Sequence, residues 1–449
     1  MPQALDTDYL VIGAGAMGMA FVDELVTRSK HVRVILVDRR ATPGGHWNDA
    51  YRFVTLHQPA AFYGVNSEPL GPGGEAFASA AEIMAYYERV LAKLCATGRV
   101  RFFPQCEYEG DGRFRSTVAP DDVYQTTVHR KTVDATYSKV EVPAMGRPNF
   151  EVAAEISLVP INGLAELDRP WSRYVVIGAG KTGIDALLFL LERGVDPDHL
   201  TWVISHDVWL MNRTLLFPKD IPRSVPWQLR SHIRMTCFED FFPQWEKGGW
   251  AFRLDENIEP TRFRCTSVIE SELSALRRIS DVVRKGRVVS IEPDAIVLEE
   301  GTIPTAADVL HVDCTARGLP RQPARPVFEG ATITLQPVTF CQPAFSAAMI
   351  ARLETWSEDD AAKNAMSTPV PHPEFPHDAI GMGIDTMENS LKWVWPFGWW
   401  LLRSRLSMGK HLSFFGLLRV TAAALWLWRP ALKNLARIRA EMDDPRAKP

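Results

Sequence analysis

The chain has 449 residues, of which 46% are hydrophobic and 23% charged, with a formal net charge of −4. That is an ordinary globular composition with length for several domains; it excludes a disordered or fibrous chain and offers no basic excess for nucleic acid. The charge is uneven, however. From Leu391 onward 11 Lys/Arg stand against 3 Asp/Glu, a net of +8, so the preceding 390 residues carry 39 against 51, a net of −12. The opening MPQALDTDYL lacks the basic head and apolar run of a signal peptide, so a cytoplasmic protein is expected. Six cysteines (Cys95, Cys106, Cys237, Cys265, Cys314, Cys341) show no paired spacing. They predict buried free thiols in a reducing compartment and no metal site.

Asp8 to Ile12 (DYLVI) predicts a strand and Met19 to Val26 a helix, with Gly13, Gly15 and Gly18 between them in G-x-G-x-x-G spacing. The first glycine permits a tight turn, the second lets a pyrophosphate approach the backbone, and the third lets the helix pack on the strand. The helix start then offers unpaired N–H groups to phosphate. A second strand, HVRVILVD, ends in Asp38, 20 residues past Gly18, where a carboxylate takes ribose hydroxyls, with Arg39 beside it. The pattern predicts dinucleotide binding.

Next comes PGGHWNDAYRFVTLHQPAAFYG, Pro43 to Gly64. Gly44, Gly45 and the following aromatic resemble the G-G-x-W that trails the FAD turn of flavin-containing and Baeyer–Villiger monooxygenases, the class B flavoprotein monooxygenase-like superfamily. The resemblance implies FAD on the first turn, with Gly45, His46 and Trp47 along the flavin and Tyr51 just beyond. It places His57 where many of these enzymes carry an asparagine at the reactive flavin edge. A histidine there could bond a flavin hydroperoxide or shuttle its protons; the alternative is a loop histidine with an ordinary partner. Val133 to Met145 (VDATYSKVEVPAM) resembles the A-T-G segment leading out of the FAD domain, with Tyr137 for the glycine. The family's F-x-G-x-x-x-H fingerprint should follow. This chain has VPINGLAELDRPWSRY instead, without histidine, which departs from the Baeyer–Villiger pattern.

Trp171 to Ile177 predicts another strand, Gly178, Gly180 and Gly183 repeat the spacing with Lys181 and Thr182 inside it, and IDALLFLLERG continues as a helix. A flavin needs a reductant, and a nicotinamide needs its own pyrophosphate grip, which accounts for two turns in one chain. After the next strand stand His206 and Asp207, with Arg213 further on. NADPH requires cations for its 2′-phosphate and NADH prefers an acid. Lys181, His206 and Arg213 against Asp207 favour NADPH, with NADH left open. Ala306 to Pro320 (ADVLHVDCTARGLP) resembles the returning A-T-G strand, with Thr315 and Ala316 for Thr-Gly.

Gln336 to Ala348 and MIARLETW predict a helix with Pro343 in its first turn. Its start, Gln342 to Ser346 including Pro343 and Phe345, is expected to face the flavin pyrimidine, or else to be an ordinary capped helix. Ser357 to Pro376 is polar and proline-rich and predicts a loop or lid. Beyond Leu391 lie 6 of the 14 tryptophans in apolar runs too short to span a bilayer. Interleaved Trp, Phe, Leu, Lys and Arg suit a helix in the lipid interface at the cytoplasmic face. A tail packed on its own body, or on a second subunit of a homodimer, is the competing reading.

Together these features predict an α/β protein with two Rossmann-like dinucleotide-binding domains and a helical tail. The FAD domain would cover 1–169 and 288–390, the inserted NAD(P) domain 170–287, and the tail 391–449. The resemblance implies an NAD(P)H-reduced monooxygenase that uses O2 on a small organic substrate, without nucleic acid or metal. A flavin reductase without oxygenation and a non-catalytic membrane-associated flavoprotein are the alternatives.

Overall fold

Apolar runs of β-branched residues build two parallel sheets, in a computed structural model that describes residues 2–316 and 318–443. In the first, strand Gln3–Ile12 lies between Val34–Val37 and Val123–Asp134, with Val100–Phe103 beyond one neighbour and Thr332–Thr334 beyond the other. The VILV of Val34–Val37 is buried at every position, as a parallel strand covered on both faces requires. Helix Ala16–Arg28 leaves the central strand through the first glycine turn and packs against helix Pro343–Glu354. A buried polar chain pins that second helix to the sheet. The Tyr9 hydroxyl donates to Glu354 at 2.8 Å, and the fully buried Lys363 bonds the same carboxylate at 2.6 Å and Asp360 at 3.0 Å.

The second sheet is inserted between Val123–Asp134 and Phe328–Glu329 of the first. Its strands run Asp281–Val283, Leu200–Val203, Arg173–Ile177, Val309–Asp313 and Ser157–Pro160, all parallel. The inserted unit therefore reaches outside the expected 170–287 on both sides. Ser157–Pro160 and Val309–Asp313 are apolar enough for either sheet, and only long-range pairing decides which one they join. A four-stranded sheet built from Glu151–Val152 and the strands of residues 288–304 flanks it. A three-stranded sheet holds Leu210–Asn212 between Ala251–Phe252 and Ser267–Val268.

Three expectations need correction. The boundary at Leu391 falls inside helix Asp378–Arg403, because the amphipathic pattern begins well before the tryptophans. The thiols are not all free: Cys265 and Cys341, 76 residues apart, form a disulfide, leaving Cys95, Cys106, Cys237 and Cys314. The expected loop at 357–376 carries a short helix, Asp360–Ala365.

Helix Phe414–Asp443 runs antiparallel to Asp378–Arg403 and lies on helix Ile221–Arg234. The Asn434 amide donates to the His232 carbonyl at 2.7 Å and the Met235 carbonyl at 2.8 Å. The tail thus packs on the body by one face. His232 lies beneath it, stacked on Phe241 at 5.7 Å, and neither ring nitrogen has a hydrogen-bond partner among the described residues. Burial alone lowers its pKa from 6.5 to about 4.

Unfolded His232 takes a proton as pH falls through 6.5, whereas the folded ring stays neutral until about 4. Stability is complete above about 6.5 and falls below it, by about 1.4 kcal/mol per pH unit for one such group. His232→Phe should shallow the loss of Tm between pH 6.5 and 4; an unchanged profile from thermal melts would show that this ring does not contribute.

Candidate functional site

The two glycine turns are built alike. Gly13 takes φ +103°, and a β-carbon on Gly18 would lie 1.9 Å from the Gly13 carbonyl oxygen. Gly178 takes φ +134°, and a β-carbon on Gly183 would lie 2.1 Å from the Gly178 oxygen. Each helix is pressed into its own turn, which only glycine at the third position permits. Behind each turn sits an acid–X–threonine turn. Thr136 bonds Asp134 through its N–H at 2.8 Å and hydroxyl at 2.7 Å, and Thr315 bonds Asp313 at 2.9 and 2.6 Å. The helices begin after Gly15 and Gly180 with no acid in the first turn, and no side chain among the described residues caps either. Their first N–H groups and positive dipole ends suit phosphate, so both turns fit a dinucleotide.

They differ at the second glycine. A β-carbon on Gly15 would stand 3.5 Å from the Gly45 α-carbon, whereas one on Gly180 would meet nothing among the described residues within 4 Å. The Gly44–Gly45 loop is held on the first turn by the Gly44 N–H, which donates to the Ala14 carbonyl at 2.8 Å. Left-handed backbone at both residues (φ +115° and +60°) makes that close approach possible. Asp38 is buried at the end of Val34–Val37, accepting from the Ala14 N–H at 2.6 Å and the Arg40 N–H at 2.8 Å. Arg39 is exposed, and Thr182 is half-buried in the first turn of its helix.

One contact ties the two turns together. The Tyr51 hydroxyl donates to Asp185 at 2.5 Å, and Lys181 forms an ion pair with the same carboxylate one helical turn away. Burial, then the Asp185 charge, pushes the Tyr51 pKa well above 10. Phe53 stacks on Phe189 at 3.9 Å alongside, and the Ser267 hydroxyl donates to the His57 carbonyl at 3.0 Å. His57 is exposed to solvent yet surrounded by protein, so it lies in a cleft between the units. Its pKa falls to about 3, first through lost hydration and then through Lys181, Arg213, His372 and His46 around it. His46, its ring tilted against Trp47 at 5.2 Å, is lowered to about 4, mainly by burial. Trp47 donates its indole N–H to Tyr63 at 2.7 Å.

The cations expected for a 2′-phosphate do not converge. Lys181 is engaged by Asp185. Arg213 is buried, bonded to the Ser267 carbonyl at 3.1 Å and paired with Glu272, over the ring of Phe77. Only His206 stands at the end of Leu200–Val203, and its companions come from far along the chain. Arg262 lies 3.4 Å from its ring, Arg284 grips Asp207 at 2.8 and 3.2 Å, and Arg287 adds charge nearby. Burial first, then Arg262 and Arg287, lowers the His206 pKa. Nothing in local spacing singled out these arginines: Arg262 arrives through its pairing with Val208, and Arg284 and Arg287 through the pairing of Asp281–Val283 with Leu200–Val203.

Phe345 also needs correction. It points into the core between Trp393 and Trp400, each at 5.9 Å, because its helix turns that face to the C-terminal helices. Pro343 does occupy the first turn of Pro343–Glu354, which begins without a side-chain cap among the described residues. Thr315 and Ala316 are half-buried behind the second turn.

Comparison with known proteins agrees with this geometry. A family model described as an NAD(P)-binding Rossmann-like domain matches residues 11–68. Uncharacterized proteins from Mycobacterium bovis and from two strains of Mycobacterium tuberculosis are each 45% identical over 408 residues, covering 87% of this chain and 75% of theirs. Among solved structures, a closed form of cyclohexanone monooxygenase aligns with a TM-score of 0.51 at 13% identity, over 98% of both chains. Cyclohexanone monooxygenase from Rhodococcus sp. Phi1, bound to NADP+, aligns with a TM-score of 0.50 at 15% identity, over 79% of this chain and 83% of that one. These similarities show a fold shared with cyclohexanone monooxygenase.

Proposed function

This chain belongs to the family of its mycobacterial relatives, and from its fold and cleft we propose that it is an FAD-dependent, NADPH-reduced monooxygenase of a small organic substrate. The observation that carries the reading is the Tyr51–Asp185 contact, which turns two phosphate grips onto one cleft. FAD bound at the first turn would supply a two-electron centre that accepts hydride from the nicotinamide and passes the electrons to O2. Gly13, Gly15 and Gly18 would bind its pyrophosphate and Asp38 its ribose, with Gly44, Gly45, His46 and Trp47 along its length. Gly178, Gly180 and Gly183 would bind the NADPH pyrophosphate, with His206, Arg262 and Arg287 at the 2′-phosphate. His57, neutral above about pH 4, can donate from one ring nitrogen and accept at the other, so it can hold a proton at the cleft without adding charge. Trp47 and Tyr63, buried and bonded to each other, would help to exclude water from the cleft. Absence of a histidine from the 160–174 segment favours, as a second reading, a reductase that does not oxygenate.

The outer face of the helical hairpin supports a further part of this proposal, attachment to an anionic lipid surface. Trp395 is 95% exposed and Phe415 and Trp426 are each 80% exposed, with Trp399, Phe414 and Leu425 between them. No acidic residue stands between Glu388 and Glu441, while Lys392, Arg403, Lys410, Arg419 and Arg429 do. Among the described residues no helix is long and apolar enough to cross a membrane. An aromatic face with a basic rim suits the interface plane.

Under anaerobic conditions NADPH should bleach the bound flavin, and an 18O2 pulse with substrate should place one labelled oxygen in product. Bleaching without label would mean a reductase; a colourless protein that cannot be loaded with flavin would refute the reading. Arg262→Ala should raise KM for NADPH by about tenfold to a hundredfold and spare NADH. Equal effects on both coenzymes would remove this arginine from the 2′-phosphate. The protein should sediment with vesicles containing anionic lipid, and Trp395→Ser/Trp426→Ser should stay in the supernatant. If wild type stays there too, the lipid surface is wrong.

A further inference from the structure

We infer that Cys265, Cys341 and His372 form a redox-gated site for a thiophilic divalent cation, zinc being the match. The two sulfurs hold each other when oxidised and hold the ion with the imidazole once reduced. This inference is independent of the flavin reading.

The donor atoms of the three residues lie within 4.8 Å of one another. Around a tetrahedral zinc ion with bonds of about 2.0–2.3 Å the donors stand about 3.5 Å apart, so the two sulfurs, bonded to each other in the oxidised state, separate on reduction while the imidazole closes in. The donors come from three distant segments that are already fastened side by side. The Phe263 N–H donates to the Glu374 carbonyl at 3.1 Å, Arg264 pairs with Glu374 at 2.5 Å, and the Val370 N–H donates to the Pro337 carbonyl at 2.8 Å. The ligands are thus placed by the fold rather than gathered by the ion, which limits the ordering cost of binding.

Backbone conformation gives a second, separate indication. Only five non-glycine residues among those described have positive φ, and two of them are Cys265 (+54°) and Cys341 (+43°). Left-handed backbone is unfavourable for a residue with a β-carbon, and such positions collect at functional sites. Cys265 is buried, while Cys341 and His372 are half-buried, so one side of the cluster can be reached by a reductant and an ion.

The donor set decides the ion. Two thiolates and an imidazole select zinc over magnesium or calcium, which require oxygen. The nearby carboxylates are engaged, Glu374 by Arg264 and Asp378 by Arg321. Three protein donors leave the fourth position to solvent. The chemistry balances with a thiol as reductant. Two thiol molecules become one disulfide as the Cys265–Cys341 bond takes up two electrons and two protons. Zn2+ then displaces those two protons from the cysteines. The disulfide ties the segment before Ser267–Val268 to the approach to Pro343–Glu354, and the ion would tie the 357–376 segment to both.

The test uses the full-length protein with whatever cofactor it carries. The denatured oxidised chain should show four reactive thiols and the reduced chain all six. After reduction and removal of reductant, zinc titrated against a chromogenic chelator should bind one ion per chain. Binding should be at least a hundredfold tighter than in Cys341→Ser or His372→Ala and absent from the oxidised chain. Co2+ added to reduced wild type should give the sulfur-to-metal charge-transfer band and intense visible bands of a tetrahedral thiolate site, a readout that needs no variant. Six thiols in the oxidised chain, equal zinc affinity in wild type and variants, or cobalt spectra without a thiolate band would each overturn the inference.

Discussion

The hydrogen bond from Tyr51 to Asp185 is the constraint on which the rest of the architecture turns. Either sheet could form with its own glycine turn and remain a separate nucleotide-binding unit. What makes them one site is a buried phenol from the first unit reaching a carboxylate in the first turns of the second unit's helix. Lys181 neutralises that carboxylate. A buried donor and a partly buried charge without partners would each be costly, so this contact favours the arrangement that pairs them. The Phe53–Phe189 stack and the Ser267–His57 bond lie beside it and add shape and register.

The second principle is repetition with one difference. Both turns press a helix start against a carbonyl, and both rest on an acid–X–threonine turn. The first, however, has the Gly44–Gly45 loop folded over it, and the second is open at Gly180. A covered grip suits a group that stays with the protein, and an uncovered one suits a coenzyme that enters and leaves with each turnover. The same local physics, with and without a closing loop, thus fits a resident and a visitor.

Legibility in the sequence followed the range of the interaction. Gly13, Gly15, Gly18 and their counterparts are readable because the turn is made by residues within a few positions of each other. Asp38 is readable because strand length fixes its distance from the turn. Arg262, Arg284 and Arg287 are not, because they reach His206 and Asp207 only through pairing across more than fifty residues. The same holds for Cys265 and Cys341, whose spacing of 76 carries no signal, and for Ser157–Pro160, which joins the second sheet. Phe345 was misjudged for a related reason. Its helix start was identified correctly, but which face a helix turns outward depends on neighbours such as Trp393 and Trp400 that lie far along the chain.

Arg405, between the two C-terminal helices, carries a consequence of its own. Its guanidinium donates to the carbonyls of Val65, Ala61, Ala60 and Tyr63, on the stretch that continues from His57. The hairpin is therefore a strut rather than an appendage. Cutting the chain before it would strip the carbonyls of Ala60, Ala61, Tyr63 and Val65 of their donor, so the stretch that follows His57 depends on the hairpin for its own hydrogen bonds.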